Sequence, residues 1–244
     1  MTSLSQTSSN GDTEIASLVE KNYYDIQLAI NAAANSVNRD FREVALVAVS
    51  KTVGVPEIES AIAVGIHDFG ENRTNLLKEK HEALPHERWH FIGRIQTNKL
   101  KDVVGRASLI HSVTSQHALE VINKLALAKE LCQDILIEVN VSGEDSKDGV
   151  SAKEAPQLLE AASSFKGLRV KGLMTMAPIQ QTKRDSTARE TFSALRELQN
   201  DLMPVFAGTA NISLNELSMG MSDDFEDAIK EGATIVRIGR RLWS

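Results

Sequence analysis

The 244-residue chain predicts an α/β fold, most simply a closed (β/α)8 TIM barrel with an extra N-terminal helix. Three observations carry this expectation: eight short apolar runs, segments of helical spacing between them, and no Gly/Pro/Ser-rich linker to divide the chain. An open doubly wound sheet is the alternative. It would normally bring a glycine-rich turn after its first strand, where this chain has Ser50-Lys51-Thr52-Val53-Gly54. A single domain also suits the length, because α/β barrels run to about 250 residues.

Met1 to Gly11 is rich in Ser, Thr and Asn and reads as a flexible tail, leaving residues 12–244 as one domain. From Ile15, the residues Leu18, Val19, Tyr23, Ile26, Ile30 and Ala33 recur at offsets of three and four, which predicts one long helix with a single buried face. The first strand is Val44-Ala45-Leu46-Val47-Ala48-Val49-Ser50, closed by Lys51. Pro56 suits the first turn of the next helix and Gly65 its end. Further apolar runs fall at 65–70, 88–93 and 107–113, each followed by a segment of helical spacing. Asp134 to Asn140 is a strong strand with an exit loop over 141–150, and Ser151-Ala152-Lys153-Glu154 has the reciprocal capping pattern of a helix start. Strands are expected at 168–174, 212–219 and 234–238, with helices near 188–202 and 222–231.

Hydrophobic residues make up 42% and charged residues 25%, a composition that excludes a mainly disordered chain. With 27 Lys+Arg against 33 Asp+Glu, the net charge of −6 argues against a nucleic-acid or anionic-membrane surface, so any anion is bound locally. Cys132 is the only cysteine, which excludes an intrachain disulfide and a cysteine-rich metal cluster and fits a reducing, cytoplasmic setting. The N-terminus has neither the basic start nor the apolar middle of a secretion signal, and no apolar run approaches the roughly 20 residues of a membrane span.

In a barrel the chemistry lies at the C-terminal ends of the strands. Polar residues fall there at Lys51, Glu71-Asn72, His90, His111-Ser112, Asn140, Met174-Thr175, Ser218 and Arg237. Lys51 stands out because a doubly buried strand would carry its amine into a desolvated barrel mouth, where the neutral amine, the form that attacks an aldehyde, is favoured. A solvated rim lysine is the plain alternative. Barrels commonly bind phosphate on the loops after strands seven and eight. There Ser218 offers a hydroxyl, Gly220 a close backbone approach, Ser222-Asp223-Asp224 a helix cap, and Gly239 and Arg240 further N–H groups. An ordinary capped turn explains the same residues. Arg237, inside the apolar strand 234–239, requires a salt-bridge partner or a ligand. An aldehyde, a ring nitrogen and a phosphate together describe pyridoxal 5′-phosphate (PLP). The segment 141–149 reads as a loop over the barrel top, and no metal-ligand spacing or nucleophile elbow is present.

Several stretches together resemble the YggS/PROSC (PLPBP) family of pyridoxal phosphate homeostasis proteins, related to the barrel of alanine racemase. They are Ala48-Val49-Ser50-Lys51, Phe69-Gly70-Glu71-Asn72, Trp89-His90-Phe91-Ile92-Gly93 with Gln96 and Asn98-Lys99, 139–144, 172–176, 217–224 and 236–239. The resemblance implies a PLP fold-type III barrel, alanine racemase N-terminal-domain-like, with Lys51 as the internal aldimine and Asn72 near the ring. It further implies Ser218, Met219, Gly239 and Arg240 around the phosphate, Arg237 near the pyridine nitrogen or phosphate, and His90 in the pocket. Arg240 departs from a commonly small residue, so its backbone contact is what carries over. Arg73 likewise stands where an aromatic residue is common.

The expected function is binding, buffering and delivery of PLP in vitamin B6 homeostasis, with PLP-dependent apo-enzymes as recipients and a monomer as the working unit. The rival is a PLP-dependent amino-acid racemase-like enzyme, which needs an acid/base on each face of the substrate. The only tyrosines, Tyr23 and Tyr24, fall in the first helix. Arg237 beside the ring nitrogen would disfavour its protonation and weaken the cofactor as an electron sink. A barrel holding another phosphorylated metabolite would keep Ser218 and Gly239 but give Lys51 no covalent role.

Overall fold

The apolar runs become parallel strands that close on themselves. The computed structural model describes residues 6–142, 148–178 and 187–244. Its elements begin with α1 (Gln6–Asn35), β1 (Ala45–Val49), α2 (Val55–Ala63), β2 (Asp68–Glu71), α3 (Thr74–Ala83), β3 (Arg88–Phe91), β4 (Leu109–Val113) and α4 (Gln116–Ala128). They continue with β5 (Gln133–Asn140), β6 (Val150–Ser151), α5 (Ala155–Ser163), β7 (Leu168–Met174), α6 (Thr187–Val205), β8 (Ile212–Ser218), α7 (Phe225–Lys230), β9 (Ile235–Ile238) and α8 (Arg240–Trp243). Around the ring the order is β1-β2-β3-β4-β5-β7-β8-β9, all parallel, and β9 returns to β1 through Ala45↔Ile235 to Ala48↔Ile238. This is the expected (β/α)8 barrel.

Alternation along each strand separates two cores. Ala48, Phe69, Trp89, Phe91, Ile110, Ile135, Ile137, Val236 and Ile238 face the helices in one large cluster. Val47, Leu109, Leu136, Met174 and Ile235 form a second, small cluster inside the ring. That inner floor is thin, and two residues further along three of its strands stand His111, Glu138 and Arg237.

Local signals explain most helix boundaries. In α2, Pro56 occupies the first turn, the Gly54 N–H donates to Glu57 Oε2 (3.0 Å), and Gly65 adopts φ +94° just past the end. Ser151 and Glu154 bond reciprocally before α5, with Glu154 N–H to Ser151 Oγ at 3.3 Å and Ser151 N–H to Glu154 Oε2 at 2.9 Å. α1 packs on α2, α7 and α8 across the seam where the barrel closes. There Arg39 donates to Ile229 O (2.8 Å) and Ala233 O (3.1 Å), and Asn22 to Leu242 O (3.1 Å).

Several expectations shift. α1 extends back to Gln6, over part of the segment read as a tail at 1–11, because adding residues to a formed helix costs far less than nucleating one. Leu18 is exposed, since the buried stripe runs through Val19, Ile26, Ile30 and Ala33. The segment after β3 forms a short 3₁₀ helix (Thr97–Asp102) in which only Leu100 is buried. β6 is an added strand that pairs outside the ring with Val139 and Asn140. Part of the barrel-top loop, 143–147, lies outside the described residues. Finally, α7 starts after Asp224 rather than at Ser222.

Candidate functional site

At the C-terminal rim, the seam between the first and last strands assembles the first group of residues. The ladder continues past β1 with Ser50 N–H to Gly70 O (3.0 Å), and Lys51 follows in the phase of Val47 and Val49. A Cβ on Gly239 would stand 3.3 Å from Val49 Cβ, and the Trp243 indole donates to Val49 O (2.7 Å). The start of α8 is therefore held against the end of β1, beside Lys51. Lys51 is exposed, not buried as expected from its strand: β1 ends at Val49 and the chain turns at Lys51, so the amine emerges at the barrel mouth.

A buried ion pair supports this corner from behind. Lys80 of α3, 4% exposed, donates to Ser50 O (2.7 Å) and pairs with Glu71 Oε1, which also accepts from Ser50 Oγ (2.9 Å). The two tethered residues immediately precede Lys51 and Asn72. Asn72 Oδ1 is buried without a hydrogen-bond partner, an orphaned acceptor at the end of β2. A Cβ on Gly93 would fall 2.0 Å from Asn72 O, so the chain packs on the Asn72 backbone with no space for a side chain. Beside it opens a cleft of about 380 Å³ lined by Asn72, Arg73, Phe91, Arg94, Gln96 and Lys99 among others.

Inside the barrel the polar groups connect. Asp68 Oδ1 meets His90 Nε2 (3.1 Å), His90 Nδ1 meets His111 Nε2 (2.9 Å), and His111 Nδ1 meets Ser218 Oγ (2.8 Å). Arg237 Nη1 donates to Ser218 Oγ (2.6 Å) and Nη2 to Thr175 O (3.0 Å). Burial works against charge on Asp68, but hydrogen bonds from Arg88 and His90 prevail and hold its carboxyl at about 2. Burial, then the neighbouring His90 and Arg237, drive His111 well below the usual imidazole range. Burial lowers Arg237 to about 10 against the support of Glu138 and Asp224, so the guanidinium stays charged at neutral pH. Glu138 is pushed up to about 7, by burial and then by Asp148, with Arg237 and Arg94 opposing.

At the end of β8, Ser218 and the following Met219 are fully buried. The Ser218 hydroxyl contacts turn inward to His111 and Arg237, and the Met219 N–H donates to Ile235 O (3.1 Å) within the sheet. Gly220 adopts φ +91°, and a Cβ there would meet Ala228 Cβ at 2.6 Å. Asp224 Oδ1 accepts from Met221 N–H (2.6 Å), while Ser222 Oγ accepts from Arg241 N–H (3.3 Å) where the two loops touch. The Arg240 guanidinium pairs with Asp223 in solvent.

Of the expected residues, Lys51, Asn72, Gly239 and Arg240 lie at the rim, whereas His90, Ser218 and Arg237 join the interior chain and Met219 sits beneath the loop after β8. Sequence reasoning placed Glu71 and His111 among the polar strand ends without assigning them a role, and it missed Asp68, Lys80 and Glu138. Strand alternation marks His111 and Glu138, each two residues past a floor residue. Among the described residues, no group of three or more His, Cys, Asp or Glu side chains could hold a metal ion, and no helix is long and apolar enough to cross a membrane.

Comparison with known proteins gives the site its context. The family described as alanine racemase, N-terminal domain, matches residues 27–243. The pyridoxal phosphate homeostasis protein of Aquifex aeolicus is 43% identical over 200 residues, covering 81% of this chain and 85% of the relative. The protein of the same name from Pseudomonas aeruginosa is 38% identical over 93% of this chain and 95% of its own length. PipY of Synechococcus elongatus, solved with PLP bound, aligns with a TM-score of 0.76 at 29% identity, over 88% of this chain and 100% of PipY.

Proposed function

The chain belongs to the alanine racemase N-terminal-domain family and, within it, to the pyridoxal phosphate homeostasis proteins; from that premise we propose that it binds, buffers and delivers PLP. The residues fit the group. Lys51 offers an exposed residue at the C-terminal end of β1, Asn72 holds a buried acceptor without a partner at the same end of β2, and Arg237 places a charged donor in the floor. When bound, PLP supplies an aldehyde that condenses reversibly with a primary amine, so Lys51 would hold it covalently without trapping it. The observation that carries the reading is this pairing of an accessible Lys51 with a buried Arg237 on adjacent strands, where Val47 is in register with Arg237.

Gly239 and the backbone of Arg240 are assigned to the phosphate, and Ser222, whose hydroxyl lies at the junction of the two loops, takes the hydroxyl contact expected of Ser218. His90 bonds to Asp68 and His111 inside the barrel. The Arg237 guanidinium, charged at neutral pH, keeps a proton off a ring nitrogen facing it, which suits storage better than carbanion chemistry.

A carrier rather than a racemase is further supported by the tyrosines. Tyr23 lines a cleft with Leu46, Asp68 and Arg88 at the N-terminal ends of the strands, and Tyr24 is exposed on α1, so neither stands at the Lys51 rim as a second acid/base. Apo-enzymes that need PLP are the proposed recipients of a monomeric, cytoplasmic carrier, a setting consistent with the single free Cys132. Purified protein given PLP is expected to show a visible absorption band, lost in Lys51→Ala, and borohydride should trap the cofactor on Lys51. Lysine-independent uptake would overturn the covalent reading, and sustained Lys51-dependent racemisation of an amino acid would overturn the carrier reading.

A further inference from the structure

The interior chain from Asp68 to Arg237 crosses the barrel from β2, β3 and β4 to β8 and β9, and of its members only Arg237 has a role in ligand binding assigned above. Its core is almost completely enclosed: His111 and Ser218 are 0% exposed, Arg237 4% and His90 7%. A barrel interior continuing the apolar floor of Val47, Leu109 and Leu136 would avoid the desolvation of these groups, and partly satisfied buried networks are costly.

The donors and acceptors have a direction. Arg237 has only donors, so Ser218 Oγ accepts from it. Asp68, ionised, has only acceptors, so His90 Nε2 carries a proton toward it. When His90 carries only that proton, its Nδ1 accepts from His111 Nε2–H and His111 Nδ1 accepts the hydroxyl proton of Ser218; a second proton on His90 would reverse both bonds. In that singly protonated arrangement the acidic end sets the tautomer of both imidazoles and turns a lone pair of Ser218 toward the guanidinium, whose other arm is held by Thr175 O.

We infer that Asp68, His90 and His111 are positioning residues that act through Ser218 to hold the Arg237 guanidinium in one orientation for its ligand. What Arg237 meets rests on the PLP reading; the polarity of the relay does not. An Arg237 held this way presents a prepared donor at the floor of the pocket and loses little rotamer freedom on binding.

The test uses the ligand-free protein first. Nitrogen-15 NMR is expected to show His111 protonated at Nε2 and not at Nδ1, His90 Nδ1 without a proton, and slowly exchanging Arg237 guanidinium protons. Asp68→Asn, made at the far end of the barrel from the rim, is expected to give mixed tautomers at His111 and faster Arg237 exchange. In loaded protein the same change should weaken PLP binding about tenfold, the scale of one hydrogen bond to a charged group, and move the absorption band of the bound cofactor. Arg88→Gln removes the ion-pair partner of Asp68 but leaves its carboxylate, and is expected to change neither the tautomers nor the band. A His111 protonated at Nδ1, parent-like His111 and Arg237 signals in Asp68→Asn, or identical effects from Arg88→Gln would overturn the inference. Failure of the parent to take up PLP would instead refute the functional reading, while the ligand-free spectra would still decide the relay.

Discussion

Replacing Glu138 by Gln should stabilise the protein at alkaline pH and do almost nothing at acid pH. Glu138 is 4% exposed inside the ring, and burial, followed by Asp148, raises its carboxyl from the ordinary 4.5 to about 7 despite Arg237 and Arg94. Between these values the folded state binds the proton that the unfolded state releases, so stability falls as pH rises through this window. Above it the full cost persists, roughly 3 kcal/mol at 1.36 kcal/mol per pKa unit. Gln removes the charge and keeps the shape. Urea unfolding at pH 4 should therefore place parent and Glu138→Gln close together, while at pH 8 the variant should be more stable by about 3 kcal/mol with an unchanged denaturant slope. A constant difference across pH would refute the assignment of the raised value to Glu138. A variant less stable at pH 8 would show that the attraction between Glu138 and Arg237 outweighs the desolvation of the carboxylate.

Lys80→Met should cost about 3–5 kcal/mol in the same unfolding assay, because it leaves Glu71 charged and buried without its partner, whereas the double variant Glu71→Gln/Lys80→Met should recover most of that loss. Equal instability of the single and double variants would show that packing of the lysine stem, not charge, is what matters. Gly93→Ala places a methyl group 2.0 Å from Asn72 O, so it is expected to cost at least about 2 kcal/mol and to reduce PLP uptake in the protein that remains folded. Parent-like uptake by Gly93→Ala would remove Asn72 from the site.

The fold was legible because its signal is repeated. Each barrel strand is an apolar run followed by a turn, and the helices between carry their own punctuation at Pro56, Gly65 and Ser151 with Glu154. The departures are places where a local pattern competes with tertiary packing. The 3₁₀ segment at Thr97–Asp102 buries only Leu100, too little apolar surface to hold a full α-helix, and β6 gains its hydrogen bonds only because β5 lies beside it. Neither fact is present in a window of ten residues.

The site was legible in its members and obscure in its pairings. Alternation places Arg237 and His111 inside the ring, and apolar neighbours make both conspicuous, but the bond that gives His111 a purpose spans 107 residues to Ser218. The same distance hides the partners of Ser218, which reads as a hydroxyl close to glycine and lies wholly enclosed because Arg237 and His111 reach it from two other strands. Lys51 shows the converse error: the apolar run before it suggested burial, yet β1 ends two residues earlier and the turn releases the amine. For a carrier the second arrangement is the useful one. An amine that must accept and surrender an aldehyde needs access at the rim, while the groups that only orient the ligand can be sealed below it, where low dielectric makes each hydrogen bond count for more.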